Sequence, residues 1–298
     1  MRMIEPSPDT LAAATAGELR ALDEVLTGIQ PGVHGLALRM LGQREDAADA
    51  AQEILLKVVT HLASFRGGSA FTTWVWSVAR NHLLTARTRA AEHPEVSLEA
   101  IGEKLDAGMD LVDRLAPPGR DGAARTLTPE EKLEARQVAV SCTQSMLMAL
   151  DRDQRLVYLL DSVFDLSSTE AAQVLGLTAE AYRQRLSRAK ARLEPFMRER
   201  CGLVNEAARC RCDRQVDALR HAAAASPESA GAGARRPLLL LEPVELAEAE
   251  RAFRAYGRIA DAAAVFRGLP ELAAPSSMRA AIRAVLVQEG FMDRGAPQ

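Results

Sequence analysis

The sequence predicts an all-α protein, and two observations carry that prediction. Apolar residues make up 48% of the chain but aromatics only 4%, so alanine and aliphatic side chains must build the core. Apolar positions recur at spacings of three and four, while the alternation that marks a half-buried strand is scarce. At 298 residues the chain has room for two or three small cores. The expected architecture is two small helical domains joined by a flexible linker, with a helical C-terminal extension.

Residues 1–19 read as a short mobile leader whose start, MRMIEPSPDT, lacks the apolar core of a signal peptide. The first helical domain spans residues 20–91. Within it, FRGGSAFTTWVWSVARN opens on a basic turn, Arg66-Gly67-Gly68, that lets the backbone bend closely around a partner. Phe71, Trp74, Val75 and Val78 would share one face of the following helix, with Trp76, Arg80 and Asn81 projecting elsewhere. Aromatics beside cations suit stacking on unpaired bases. From Ile54 to Ala91 there are five Lys or Arg (Lys57, Arg66, Arg80, Arg87, Arg89) and no acid, in a chain of net charge -3, and this local bias points to phosphate.

Residues 92–128 carry Pro94, Pro117, Pro118 and several glycines, with eight acids against four bases, and read as an extended acidic linker. On its own residues it is a solvated tether that merely sets reach.

The second domain, residues 129–200, contains a helix-turn-helix signal. Ser167 and Glu170 have the spacing of a capping box, Gly176 permits a turn, and Thr178 caps the next helix. Tyr182, Leu186, Ala189 and Leu193 form that helix's buried stripe, leaving Arg183, Gln184, Ser187, Arg188 and Lys190 outside. Arg matches guanine and Gln matches adenine in the major groove, although a basic helix face is also a common solvated surface.

These segments resemble the sigma-70 family of bacterial transcription initiation factors, in its extracytoplasmic-function (ECF) group. FRGGSAFTTWVWSVARN resembles region 2, and the resemblance implies that Phe65, Arg66, Ser69, Phe71, Trp74, Trp76, Arg80 and Asn81 open and hold the minus-10 element. LRMLGQREDAADAAQEILLKV, residues 38–58, resembles the helix that grips the clamp helices of the largest polymerase subunit, with Asp46, Asp49, Gln52 and Glu53 as candidate contacts. EAAQVLGLTAEAYRQRLSRAKARL resembles region 4. There Arg183, Gln184, Ser187 and Arg188 fall where family members contact the minus-35 element, with Arg185 and Lys190 placed for phosphate. The helices across residues 129–160 would embrace the flap of the second-largest subunit. Two departures are Leu150-Asp151 for a common Leu-Pro and Ala181-Tyr182 for a common Thr-Val, the latter enlarging a core residue. The implied partners are core RNA polymerase, promoter DNA both duplex and melted, and an anti-sigma factor.

Residues 201–298 lie outside the resemblance. Cys201, Cys210 and Cys212 cluster, and zinc with His221 as fourth ligand is one reading, though the paired CxxC spacing is missing. A redox dithiol is another, because Arg209 and Arg211 would favour thiolate; incidental thiols are the third. Cys142 reads as a small core residue. Beyond a flexible stretch, 222–237, Leu246, Phe253, Tyr256, Ile259 and Phe266 suggest one helix, and Met278, Ile282, Val285 and Leu286 another. Such an extension would regulate the factor or stabilise region 4.

No enzyme signature is present: the five His are scattered, and there is no phosphate-binding glycine loop or triad motif. No cofactor is expected to be required beyond that zinc reading. No apolar run approaches the roughly 20 residues that span a bilayer, so the expected location is the cytoplasm, with no membrane partner. The rival readings are a stand-alone helix-turn-helix regulator and a redox- or metal-responsive interaction protein.

Overall fold

The computed structural model describes residues 3–85, 97–115, 127–225, 262–267 and 277–288. Among these residues the fold is all-helical, with no strand and one isolated bridge between Cys201 and Cys210. In chain order the helices are α1 (Pro8–Thr15), α2 (Leu19–Leu41), α3 (Arg44–Thr60), α4 (Phe71–Thr85), α5 (Leu98–Leu115) and α6 (Pro129–Met148). They continue as α7 (Arg152–Ser162), α8 (Ser168–Leu175), α9 (Ala179–Arg200), α10 (Cys212–Ala225), α11 (Ala262–Arg267) and α12 (Ser277–Gln288). The chain divides into two compact units that interleave along the sequence. The first combines Met1–Ala91, Arg152–Ser187 and Glu271–Gln298; the second combines Glu92–Asp151 and Arg188–Pro270.

The first unit is built around α2, which α1, α3, α4 and α7 all contact. Ile29, Val33, Leu36 and Ala37, at helical spacings, are wholly buried, as expected for a helix covered on several sides. Gly42 in the left-handed conformation ends α2, its amide donating to the Leu38 carbonyl. On α3, Ala47, Ala51, Ile54, Leu55 and Val58 face inward. The small alanines permit close helix approach.

From Met3 onward the leader is ordered rather than mobile. Met3 is buried, the Ile4 amide donates to the Gly28 carbonyl (3.0 Å), and α1 packs on α2. The Glu5 carboxylate accepts from the amides of Phe71 (2.6 Å) and Thr72 (2.9 Å) and from the Thr72 hydroxyl (2.7 Å). It caps α4 from a distant part of the chain, where free amides and the helix dipole favour negative charge.

α12 also belongs to the first unit and packs on α3, burying Met278, Ile282 and Leu286 at fourfold spacing. Arg283 pairs with Asp23 (3.0 Å) and Arg279 donates to the Thr27 hydroxyl (2.7 Å). These exposed polar contacts add little, so the apolar stripe holds the helix down. Val285 is half-buried on the same helix.

In the second unit α10 packs on α5 and α6. The segment expected to run extended thus contains an 18-residue helix of about five turns, because Leu98, Ile101, Leu105 and Met109 recur at helical spacing and bury one face. Three of its acids are engaged: Asp106 pairs with Arg200, Asp110 with Arg209, and Asp113 with Arg209 and Arg214. α6 begins with a capping box in which the Thr128 amide donates to Glu131 (2.9 Å). Phe266 on α11 is wholly buried, whereas Arg87, Arg89, residues 92–96, 116–126 and the 226–261 stretch with Leu246, Phe253, Tyr256 and Ile259 lie outside the described residues.

Candidate nucleic-acid interface

The turn from α8 to α9 is made by the residues that local chemistry requires. The Ser167 hydroxyl accepts from the Glu170 amide (3.2 Å) while the Glu170 carboxylate accepts from the Ser167 amide (2.9 Å). Gly176, at φ +66°, adopts the left-handed conformation that an L side chain resists. The Thr178 hydroxyl then accepts from the Ala181 amide (3.1 Å) and starts α9. Replacing Ser167 with Ala is expected to cost about 1 kcal/mol, read as a lower urea midpoint at unchanged slope. An unchanged midpoint would mean that the cap contributes nothing.

α9 separates its two faces cleanly. Tyr182, Ala189, Leu193 and Met197 are wholly buried and Leu186 nearly so. Arg183, Gln184, Arg185, Ser187 and Arg188 are exposed and Lys190 is half-buried. The enlarged core residue is accommodated: the Tyr182 hydroxyl donates to the Val157 carbonyl (3.3 Å), and burial pushes its pKa up. A rigid helix with Arg and Gln along its solvent side has the donors and acceptors that base edges in a major groove match.

α4 departs from the expected layout. Phe65, Phe71 and Trp74 form a three-ring cluster beside the Gly-Gly turn, with centroid separations of 5.4 to 5.7 Å. Phe71 is fully buried, however, and Trp76 is 4% exposed, its ring 4.7 Å from that of Phe164. The reason is that α4 is covered twice, by α2 and α3 and by α7 and α8. The buried stripe therefore runs Phe71, Val75, Ala79, Leu83, with Thr73 and Trp76 buried on an adjoining face, while Trp74 and Val78 are half-buried. Arg66 and Asn81 are exposed, Phe65, Ser69 and Trp74 are half-buried, and Arg80 donates to the Leu175 carbonyl at 3.5 Å. Phe71 and Trp76 are core residues here, so the accessible set is Phe65, Arg66, Ser69, Trp74 and Asn81.

The acidic strip on α3 is laid out as its spacing implies. Asp49 and Glu53 are exposed, and Asp46 and Gln52 are half-buried. Behind it, His82 lies 2.9 Å from the Lys57 ammonium and 3.8 Å from Glu53. Burial first, then Lys57, lowers the His82 pKa against the opposing pull of Glu53. Its ordinary value is 6.5, so between the two values the unfolded chain binds the extra proton. Stability is expected to fall as pH drops through that value, and His82→Gln should flatten the slope of urea midpoint against pH. Identical slopes would contradict this.

Cys201, Cys210 and Cys212 are brought together, and Cys142 joins them along one small cavity, while His221 is exposed on α10 and does not line it. All four thiols are unlinked. Burial pushes the pKa of each upward, which outweighs the arginines expected to favour thiolate; Arg209 is occupied by Asp110 and Asp113. Among the described residues no group of three or more His, Cys, Asp or Glu stands ready to hold a metal ion, and no helix is long and apolar enough to cross a membrane.

A helix-turn-helix with a basic outer row, in one chain with a helix that starts at a basic Gly-Gly turn and an aromatic cluster, defines the class of DNA-reading transcription proteins. The sigma-70 region 2 family model matches residues 27–92 and the sigma-70 region 4 model residues 141–193. The RNA polymerase sigma-H factor of Pseudomonas aeruginosa is 27% identical over 61% of this chain and 91% of its own length. The ECF RNA polymerase sigma factor SigM of Mycobacterium tuberculosis is 28% identical over 62% of this chain and 81% of its own. Among solved structures, CnrH in complex with the cytosolic domain of CnrY is similar at 20% identity and a TM-score of 0.42, over 62% of this chain and 92% of that one. The chain belongs to the sigma-70 family of RNA polymerase sigma factors, in the extracytoplasmic-function group. It is a transcription initiation factor and not an enzyme.

Proposed function

We propose that this sigma factor reads a minus-35 duplex through α9 and holds a melted minus-10 strand at the α4 end. The observation that carries the proposal is the exposed row Arg183, Gln184, Ser187 and Arg188 opposite a wholly buried stripe. Arg185 and Lys190 add phosphate contacts, which position the helix without reading sequence. At the other element, Arg66 takes phosphate, Phe65 and Trp74 stack on unpaired bases, and Ser69 and Asn81 supply hydrogen bonds that replace lost pairing. Phe71 and Trp76 support these groups from beneath.

Asp46, Asp49, Gln52 and Glu53 form the contact strip for the clamp helices of the largest polymerase subunit, and the helices across residues 129–160 take the flap of the second-largest. The protein works in the cytoplasm, with promoter DNA bound only as part of the polymerase assembly. That accounts for a near-neutral chain with local basic surfaces. An anti-sigma factor is a further partner of this class.

The deciding experiment is transcription by purified core RNA polymerase on fragmented genomic DNA, with and without the protein, mapping transcript starts. New starts that share an upstream pair of motifs are expected. Failure to bind core polymerase would overturn the reading.

A further inference from the structure

Arg136 of α6 is 2% exposed, yet its Nε and Nη1 groups meet no hydrogen-bond acceptor. A guanidinium is always charged and holds five donors, so it is rarely buried unless something pairs with it. This one lines a cavity of about 120 Å³ inside the second unit, between α6, the loop after α9 and the start of α10. We propose that the cavity binds one phosphate group, as free phosphate or as the phosphoryl end of a small monoester.

Three observations besides Arg136 itself support the site. The first is a second cation. Arg211 lines the same cavity, and its Nη1 donates to the carbonyls of Ala208 (2.5 Å) and Cys210 (3.3 Å) and its Nη2 to that of Glu206. Neutral carbonyls hold the guanidinium in place without cancelling its charge. A Cβ at Gly202 would collide with this guanidinium and with the Cys210 carbonyl, so only glycine leaves both where they are.

The second is the start of α10. The Gln215 amide donates to the Arg211 carbonyl (3.0 Å), which makes Arg211 the residue that precedes the first turn. Ser, Thr, Asp or Asn at that place would offer a side-chain oxygen to the first amides, and arginine offers none. The helix start at Cys212 and Asp213, two residues that line the cavity, therefore suits an external anion.

The third is the balance of charge and size. Two guanidiniums and one carboxylate, that of Asp213, line the cavity together with the apolar Ala135, Ala139 and Leu203. The surplus is positive. The volume is well below the roughly 300–1,000 Å³ of sites for drug-sized ligands, so a compact group fits.

Asp213 selects among anions. An ionised carboxylate only accepts hydrogen bonds, so it opposes any anion that has no proton to donate, such as sulfate or a second carboxylate. Phosphate and its monoesters keep one acidic proton up to about pH 6. That O–H donates to Asp213 while the remaining oxygens accept from Arg136.

The test is calorimetric titration of the full chain at about pH 6 with inorganic phosphate, glycerol phosphate and sulfate. One phosphate group per chain is expected, with sulfate at least about 10-fold weaker. Tighter binding of either phosphate probe supports the site and tells free phosphate from a monoester as its source. Arg136→Met should weaken phosphate binding at least about 10-fold. Its thermal midpoint without phosphate should be unchanged or higher, because an apolar chain replaces an unpaired buried charge. Asp213→Asn should bring sulfate level with phosphate. Because a variant could fail to fold, the wild-type midpoint is also measured in phosphate and in chloride of equal ionic strength, and a rise in phosphate alone is expected. A wild type that binds no phosphate, sulfate bound as tightly as phosphate, or Arg136→Met binding phosphate as the wild type does would each overturn the proposal.

Discussion

Replacing Arg183 or Arg188 with Ala is expected to weaken initiation at promoters with a cognate minus-35 element by about 5- to 150-fold each. The figure follows from the 1–3 kcal/mol of discrimination that a bidentate Arg–base contact supplies. Both side chains are exposed on α9, and removing exposed groups usually changes stability by less than about 0.5 kcal/mol. The defect should therefore appear in promoter binding and transcript yield, with unchanged urea midpoints. It should also depend on the base at one promoter position, whereas Arg185→Ala should weaken binding about equally across sequences and lower its salt dependence. A uniform loss from all three variants would mean that the helix makes only phosphate contacts.

Trp76→Ala is expected to destabilise the first unit by about 3–5 kcal/mol, the cost of emptying a large aromatic site in a packed core. The side chain is 4% exposed and meets Phe164 between α4 and the helices α7 and α8. Against a total of roughly 5–15 kcal/mol for a domain, that loss is large. Trp74→Ala is the contrasting variant. Its half-buried ring belongs to the cluster with Phe65 and Phe71, so its removal should impair promoter opening more than folding. Permanganate footprinting of the melted strand and urea denaturation separate the two effects. If Trp76→Ala kept full stability and lost opening, the ring would be a base contact after all.

The contrast between these two tryptophans shows where sequence was enough. The helix-turn-helix was legible because its signals act over three or four residues: the Ser167–Glu170 box, Gly176 in the turn, and the stripe from Tyr182 to Leu193. The sides of α4 were not, because two neighbours cover it, and one comes from helices beyond residue 150. Periodicity reports one buried face and is silent about a second. The ordered leader was missed for a related reason, since the amides that Glu5 caps lie on α4, far along the chain. α5 was a different error. Its apolar period was present in Leu98, Ile101, Leu105 and Met109, but prolines and acids on either side suggested a linker. Cys142 carried no local sign of its neighbours, which only the packing of α6 with α10 supplies.

The interleaving of the two compact units bears on how the protein is made. The first unit needs residues up to Ser187 before it can close over α4. At about 5–20 residues per second of synthesis, roughly 5 to 20 s pass between the emergence of Ala91 and of Ser187. For that interval the Trp76 side of α4 has no cover from α7 and α8. Slowing the ribosome between those two points is thus expected to increase aggregation of the nascent chain more than slowing it elsewhere.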